Sequence, residues 1–339
     1  VGILIQTPGV LTTVQDLGRM GHQACGVSPS GAMDQKSTRL ANILVGNREN
    51  EGVLEVTLGG TSIVFRRSNV IAICGAPAPA VLDRQPVPFY KALSVQAGQT
   101  LSFQYAPQGM RTYIAFAGGL DIPLVMGSRS THLKSGIGGF HGRKLQQGDY
   151  IGFRSPRAYL PHQELRRVEE EHFPRSGETV SIRLLLGPQE DAFTKLGQGT
   201  LFESLYEISQ NSDRMGYRLI GQPIESKNGS DIITDGIALG SVQIPPSGLP
   251  IIMMADRQTT GGYAKIATVI TQDISLLAQC PPGVKLRFVQ CDVETAQALR
   301  IAGRRNIEAL IRRFQHMTGS SYWVQVNGKT YFVTLEAGT

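Results

Sequence analysis

The second half of this chain repeats the first in order, and that repetition constrains the fold more than any other feature. Gly60 and Gly240 each precede a pair of strand-like runs, and Ile71-Ala72-Ile73 matches Ile251-Ile252-Met253 at the same spacing. Ala97-Gly98-Gln99-Thr100-Leu101-Ser102-Phe103 echoes Pro282-Gly283-Val284-Lys285-Leu286-Arg287-Phe288 slightly out of step, and Arg39-Leu40 has a counterpart in Arg218-Leu219. Glycines alone match by chance. Several matches in one order indicate two related units, without the strict period of a solenoid.

Each unit is built from short β-branched runs separated by turns, as in Ser62–Phe65, Val70–Ile73, Thr100–Phe103 and Thr112–Phe116. That spacing suits a barrel or a sandwich better than alternating helix and strand. The expected architecture is mainly β: a first domain over 1–155, a linker over 156–177 and a second domain over 178–292. A helical segment and β-hairpin over 293–339 close the chain. The stretch from Arg154 to Ser176, rich in Pro, Glu, Arg and His, reads as the linker.

Helices are few. One begins after Gly31-Ala32-Met33-Asp34, with Ser30 as its expected N-cap and Gly46-Asn47 as its end. A second runs from Asp292 to about His316, with Gly303 expected to kink or divide it. Asn327-Gly328 between alternating runs signals a hairpin, with Trp323 and Tyr331 as packing residues.

Charge and composition exclude several classes. The net charge of +6 is modest for 339 residues and dispersed, which argues against a nucleic-acid partner. No apolar run approaches the length of a membrane span, and Val1 to Ile5 is far shorter than a signal core. The four cysteines are far apart, so a cytoplasmic setting without structural disulfides is expected. The six histidines show no metal-ligand spacing, so no metal is expected, although His132 and His141 flank a glycine-rich loop. That loop, Ser135 to Gly139, reads either as a surface loop or as a lid over an anion aided by Arg129, Lys134, Arg143 or Lys144.

Chemistry concentrates in the stretch from Ala255 to Val269. Two apolar runs flank a glycine-bent loop holding Asp256, Arg257, Gln258, Tyr263 and Lys265. Similar polar sets recur as Gln15, Asp16 and Arg19 and as Ser212, Asp213 and Arg214. Guanidinium, carboxylate and carboxamide together suit a small substrate with carbonyl, N–H and carboxylate groups. The same groups also make structural Asp–Arg pairs, and both readings stand at this point.

These motifs carry a family resemblance. Thr13-Val14-Gln15-Asp16-Leu17-Gly18-Arg19, Gly31-Ala32-Met33-Asp34, Arg39 to Asn47, Gly127-Ser128-Arg129-Ser130-Thr131, Ser212 to Leu219 and Ala255 to Val269 occur together and in order. The chain resembles the carboxyltransferase-like family that includes KipA, the 5-oxoprolinase C subunit (PxpC), allophanate hydrolase subunit 2 and the carboxyltransferase domain of urea carboxylase. Ser28 and Ala264 depart from the prolines usual there.

The resemblance implies two tandem cyclophilin-like β-barrel domains. It also implies a role as the C subunit of an ATP-dependent 5-oxoprolinase, which opens 5-oxoproline to L-glutamate with a KipI-like B subunit and a LamB-like A subunit. ATP, with Mg2+, would be bound by or shared with a partner. The alternatives are a biotin-dependent carboxyltransferase acting on urea or a related amide, and a KipA-like regulator that antagonises a KipI-like histidine-kinase inhibitor. Under the first reading Asp256, Lys265 and Asp34 are the expected catalytic residues. Gln15, Asp16, Arg19, Arg129, Arg143, Arg214, Arg257, Gln258 and Tyr263 are the expected substrate-binding residues.

Overall fold

The computed structural model describes residues 2–315, 319–326 and 329–336. The chain is mainly β, and its second half closes into a seven-stranded barrel.

Two sheets face each other in the first half. The six-stranded sheet runs Tyr150–Gly152, Gly2–Pro8, Thr61–Phe65, Thr100–Phe103, Ala80–Leu82, Gln85–Pro86, and the five-stranded sheet runs Leu11–Gln15, Val53–Thr57, Arg111–Phe116, Asn69–Gly75, Ala92–Val95. Ile3, Ile63, Phe65 and Leu101 from one meet Val14, Leu54, Ile71 and Ile114 from the other in a shared core. Helix α1 (Gln35–Leu44) covers the outer face of the five-stranded sheet, where Leu40, Ala41 and Leu44 join Val70, Ala72, Tyr113 and Ala115. Asn69–Gly75 and Arg111–Phe116 are buried at every residue because both of their faces are covered.

The barrel order is Thr179–Leu186, Lys265–Val269, Ser241–Gln243, Ile251–Met253, Gly216–Ile220, Leu205–Ile208, Lys285–Gln290. A parallel pairing of Thr179–Leu184 with Lys285–Gln290 closes it. Helices α2 (Lys195–Glu203) and α3 (Thr271–Ala278) contribute Leu201, Ile274 and Leu277 to its core. Between two barrel strands, Thr260–Tyr263 pairs with Asp231–Gly236 as a separate ribbon.

Most of the repeated segments are strands in both halves. Arg39-Leu40 and Arg218-Leu219 are the exception, because the first lies in α1 and the second in the strand Gly216–Ile220. The 154–176 stretch is pinned to the first half: Val70 donates to the Arg157 carbonyl, Ala92 donates to that of Arg166, and Leu160 and Phe173 are buried.

Helix α4 (Val293–Gln315) runs unbroken through Gly303. The helix is therefore not divided there, and a Cβ on this glycine would lie 2.7 Å from the end of the Gln272 side chain of α3. Asp292 caps α4 as expected, accepting from the Thr295 N–H at 2.6 Å. The helix then returns to the first half, where Phe314 joins the core around α1. The closing strands Gly319–Val326 and Lys329–Glu336 pair as the hairpin signal predicts. The Asn327-Gly328 turn and the packing of Trp323 and Tyr331 lie outside the described residues.

Candidate active site

The two halves meet along a buried polar seam. Ser30 reaches it on a loop whose backbone is held tightly: Gly31 has φ +99°, and a Cβ on it would lie 2.9 Å from the Gly18 nitrogen. The Arg19 N–H donates to the Pro29 carbonyl and that of Ala32 to the Asp16 carbonyl, which fixes the loop against the 16–19 turn. Ser30 consequently does not cap α1. Its hydroxyl lies 2.7 Å from an Asp256 carboxylate oxygen, in the other half, and 2.9 Å from the Thr131 carbonyl.

Arg214 grips Asp256 in a fork, with Nε at 2.8 Å from Oδ2 and Nη2 at 2.9 Å from Oδ1. The same guanidinium donates to the Glu55 carboxylate and to the Gly31 carbonyl. Burial pulls Arg214 toward neutrality, but Asp256 and Glu55 more than offset it and raise its pKa above the usual arginine range. Glu55 also accepts from the Tyr113 hydroxyl at 2.8 Å and the Met33 N–H at 2.9 Å.

Asp34 caps α1, accepting from the Ser37 N–H and hydroxyl and from the Gln279 amide at 2.8 Å. Gln279 accepts in turn from the Arg111 N–H, and Arg111 donates to the Tyr217 hydroxyl at 2.8 Å. Asp34 and Asp256 are thus both engaged by partners in the opposite half. Burying so many polar groups is tolerable because most of their atoms have partners, Arg111 Nε being an exception.

A second hub surrounds Asp16. Its carboxylate accepts from the Gly18 and Arg129 N–H groups and from the Ser128 and Ser130 hydroxyls. Beside it, Gln15 donates to the Thr131 carbonyl and Arg19 to the Ser130 carbonyl. Three atoms here are buried without partners: Gln15 Oε1, Arg19 Nη1 and His132 Nε2. A free acceptor, a free guanidinium donor and a free imidazole nitrogen lie on segments that converge at Ser130–Thr131. Unsatisfied buried groups cost about 1–3 kcal/mol each. Burial lowers the pKa of Arg19, with Asp16 and Asp256 pulling it back.

The glycine-rich loop closes against this hub as a tight turn. A Cβ on Gly138 would collide with the Arg19 guanidinium, and one on Gly139 with the Thr131 hydroxyl. Gly138 and Gly139 therefore serve close approach, while Gly136 faces open space.

Arg257 is buried next to Asp256 in sequence. Only 6% exposed, it donates to the Ile237 and Met254 carbonyls and has no carboxylate partner among the described residues. Burial alone lowers its pKa to about 10. Gln258 and Tyr263 are exposed on the same loop. Lys265 is buried and donates to the Asp235 carboxylate at 2.5 Å and the Gly236 carbonyl at 3.1 Å, which ties the ribbon to the barrel.

The structure thus brings Asp34, Arg214 and Asp256 into one network and gathers Gln15, Asp16 and Arg19 beside it. Arg129 lies at the edge of the second hub, its Nε 3.0 Å from the Ile122 carbonyl. Arg143 is not part of the seam: it forks onto Asp149 at 2.7 and 2.8 Å and lies over the Phe140 ring. Sequence reasoning missed Glu55, Arg111, Tyr113 and Gln279. The available signal was a charge inside an apolar run, as in Val53-Leu54-Glu55-Val56. Among the described residues no helix is long and apolar enough to cross a membrane, and no three His, Cys, Asp or Glu residues are grouped to hold a metal.

Comparisons with known proteins agree with this architecture. A family model described as the carboxyltransferase domain, subdomains A and B, matches residues 25–290. The 5-oxoprolinase C subunit of Escherichia coli strain K12 is 40% identical over 309 residues, covering 91% of this chain and 97% of that protein. Its counterpart in Haemophilus influenzae is 39% identical over 295 residues, covering 85% and 91%. The crystal structure of the K. lactis urea amidolyase superposes with a TM-score of 0.83 at 28% identity, covering 91% of this chain. This chain spans only 20% of that longer one.

Proposed function

The chain belongs to the carboxyltransferase-domain family, subdomains A and B, and from that membership we propose that it works as the C subunit of an ATP-dependent 5-oxoprolinase. The observation that carries this reading is the end-to-end match to the E. coli 5-oxoprolinase C subunit, which accounts for 97% of that protein. Such a chain acts within a hydrolase complex. In this reading its partners are a KipI-like B subunit and a LamB-like A subunit.

A lactam carbonyl is a poor electrophile, and phosphorylating its oxygen prepares it for hydrolysis to L-glutamate. In this scheme the chain's own contribution is to bind and orient the ring. Gln15 Oε1 accepts from the lactam N–H, and Arg19 Nη1 donates to the carbonyl oxygen, where negative charge develops. Arg257, charged at neutral pH and free of any acidic partner among the described residues, receives the substrate carboxylate. His132 Nε2 is the nitrogen available to move a proton. Asp256 and Asp34 are positioning residues here, since their oxygens are engaged by Arg214, Ser30, Ser37 and Gln279. ATP with Mg2+ is bound by or shared with a partner chain.

A second reading, carboxyl transfer from biotin to urea or a related amide, is favoured by the likeness to the K. lactis urea amidolyase. One experiment separates the two. The chain is mixed with candidate KipI-like and LamB-like partners, and glutamate release from 5-oxoproline is followed with ATP. The first reading requires release that depends on all three chains and on ATP. Biotin-dependent transfer to urea without 5-oxoproline turnover would establish the second.

A further inference from the structure

Bordering the Asp16 hub, a cleft of about 540 Å³ opens between the end of α1, the 118–129 segment and the strand-to-linker turn at 154–157. Four arginines line it, Arg48, Arg129, Arg154 and Arg157, against two carboxylates, Asp16 and Glu51. Its volume falls within the range of about 300–1,000 Å³ typical of small-molecule sites.

The four arginines divide into two kinds. Arg129 and Arg154 both lean on Glu51, the first at 3.5 Å, so one carboxylate organises two guanidinium groups. Two glycines leave room for this arrangement. A Cβ on Gly119 would lie 2.7 Å from the Glu51 carboxyl carbon, and one on Gly52 3.1 Å from the Arg129 side chain. Arg48 and Arg157, in contrast, have no acidic partner among the described residues, although Arg143, Arg183 and Arg214 elsewhere are each forked onto a carboxylate. Asp16, the other carboxylate, is saturated by backbone and hydroxyl donors. Burial lowers the pKa of Arg166, and the neighbouring Arg157 charge adds to that shift.

We propose that this cleft binds a phosphate-bearing small molecule carrying at least two negative charges. Four guanidinium forks around one concavity exceed what a single carboxylate engages, and they match the several acceptor oxygens of linked phosphates. Two of the forks are already held in place by Glu51, which reduces the ordering cost on binding. The proposal concerns the isolated chain and stands whether or not the 5-oxoprolinase reading holds.

The test is calorimetric titration of the purified chain with inorganic pyrophosphate at low salt. Saturable binding at one site is expected, weakened at least tenfold in the Arg48→Ala/Arg157→Ala double variant and unchanged in Arg143→Gln. Both substituted arginines are exposed, and far-ultraviolet circular dichroism checks that the fold survives. If the alanine variant does not fold, Arg48→Lys/Arg157→Lys keeps the charge but loses the forks, and it too must weaken binding. A parallel titration with ATP distinguishes the sources. Tighter binding than pyrophosphate identifies a nucleotide, equal binding identifies the phosphates alone, and both uphold the site. No saturable binding by the unaltered chain, or equal loss in Arg143→Gln, overturns it.

Discussion

The Arg214 guanidinium and the Asp256 carboxylate lie fork to fork, 2.8 and 2.9 Å apart, at the buried boundary between the two β units. Ser30 and Glu55, from the first unit, bind the same pair from the opposite side. A buried ion pair of this kind adds little net stability over well-packed apolar groups, but breaking it leaves an uncompensated charge. Its effect is to fix the register of one half against the other.

Asp256→Asn should therefore destabilise the protein by about 3–5 kcal/mol, since Arg214 stays buried with half its neutralising charge gone. Urea denaturation measures this. A loss below about 1 kcal/mol would mean that the seam relaxes and admits water.

Arg257→Met should move stability and activity in opposite directions. The guanidinium is buried with only carbonyl partners, and its pKa of about 10 lies below the ordinary value of 12.5. The folded state therefore holds fewer protons than the unfolded state between those values. The cost of burying the charge is fully present at neutral pH and is relieved as pH rises through about 10. Removing the charge should raise stability at pH 7 by about 1–3 kcal/mol while weakening 5-oxoproline binding. Thermal melts with KM measurements on the reconstituted complex test both.

Phe314→Ala should cost about 3–5 kcal/mol. The ring is 4% exposed and joins α4 to the core around α1, with the Arg166 guanidinium 5.3 Å from its centroid. Hydrogen exchange should show α4 losing protection ahead of the barrel strands.

Arg143→Ala should leave turnover intact and cost no more than about 1 kcal/mol, because its pair with Asp149 is at the surface. The hydrogen bond from Arg143 holds the Asp149 carboxyl below its ordinary pKa. That small contribution is present above the ordinary carboxylate pKa and is lost as pH falls through the lowered one. The variant should accordingly show a slightly flatter acid limb in a stability-versus-pH profile.

Much of this is legible in the sequence. The loop from Ala255 to Val269 does run between two barrel strands, and the motifs single out Asp34, Asp256 and Arg214. What the motifs cannot say is which polar residues have become committed partners. Glu55 occupies one position in a strand buried throughout, so its role depends on Arg214, 159 residues away. Gly303 reads locally as a helix breaker, yet α4 runs through it beside the Gln272 side chain. Arg143 reads as an anion ligand beside a glycine-rich loop, yet Asp149, six residues on, claims it. Pairings distant in sequence are set by the packing of the halves and leave no local signature.

Gln15→Leu tests whether the unpartnered atoms around Thr131 hold the substrate. The substitution removes the free acceptor together with the amide donor to the Thr131 carbonyl and the Thr13 hydroxyl, so folding is checked by the melting temperature alongside turnover. In the complex reconstituted with its two partners, glutamate release from 5-oxoproline should fall about tenfold or more per folded molecule, with a modest drop in melting temperature from the lost amide donor. Turnover equal to that of the unaltered protein, in a variant that folds and assembles, would contradict the account.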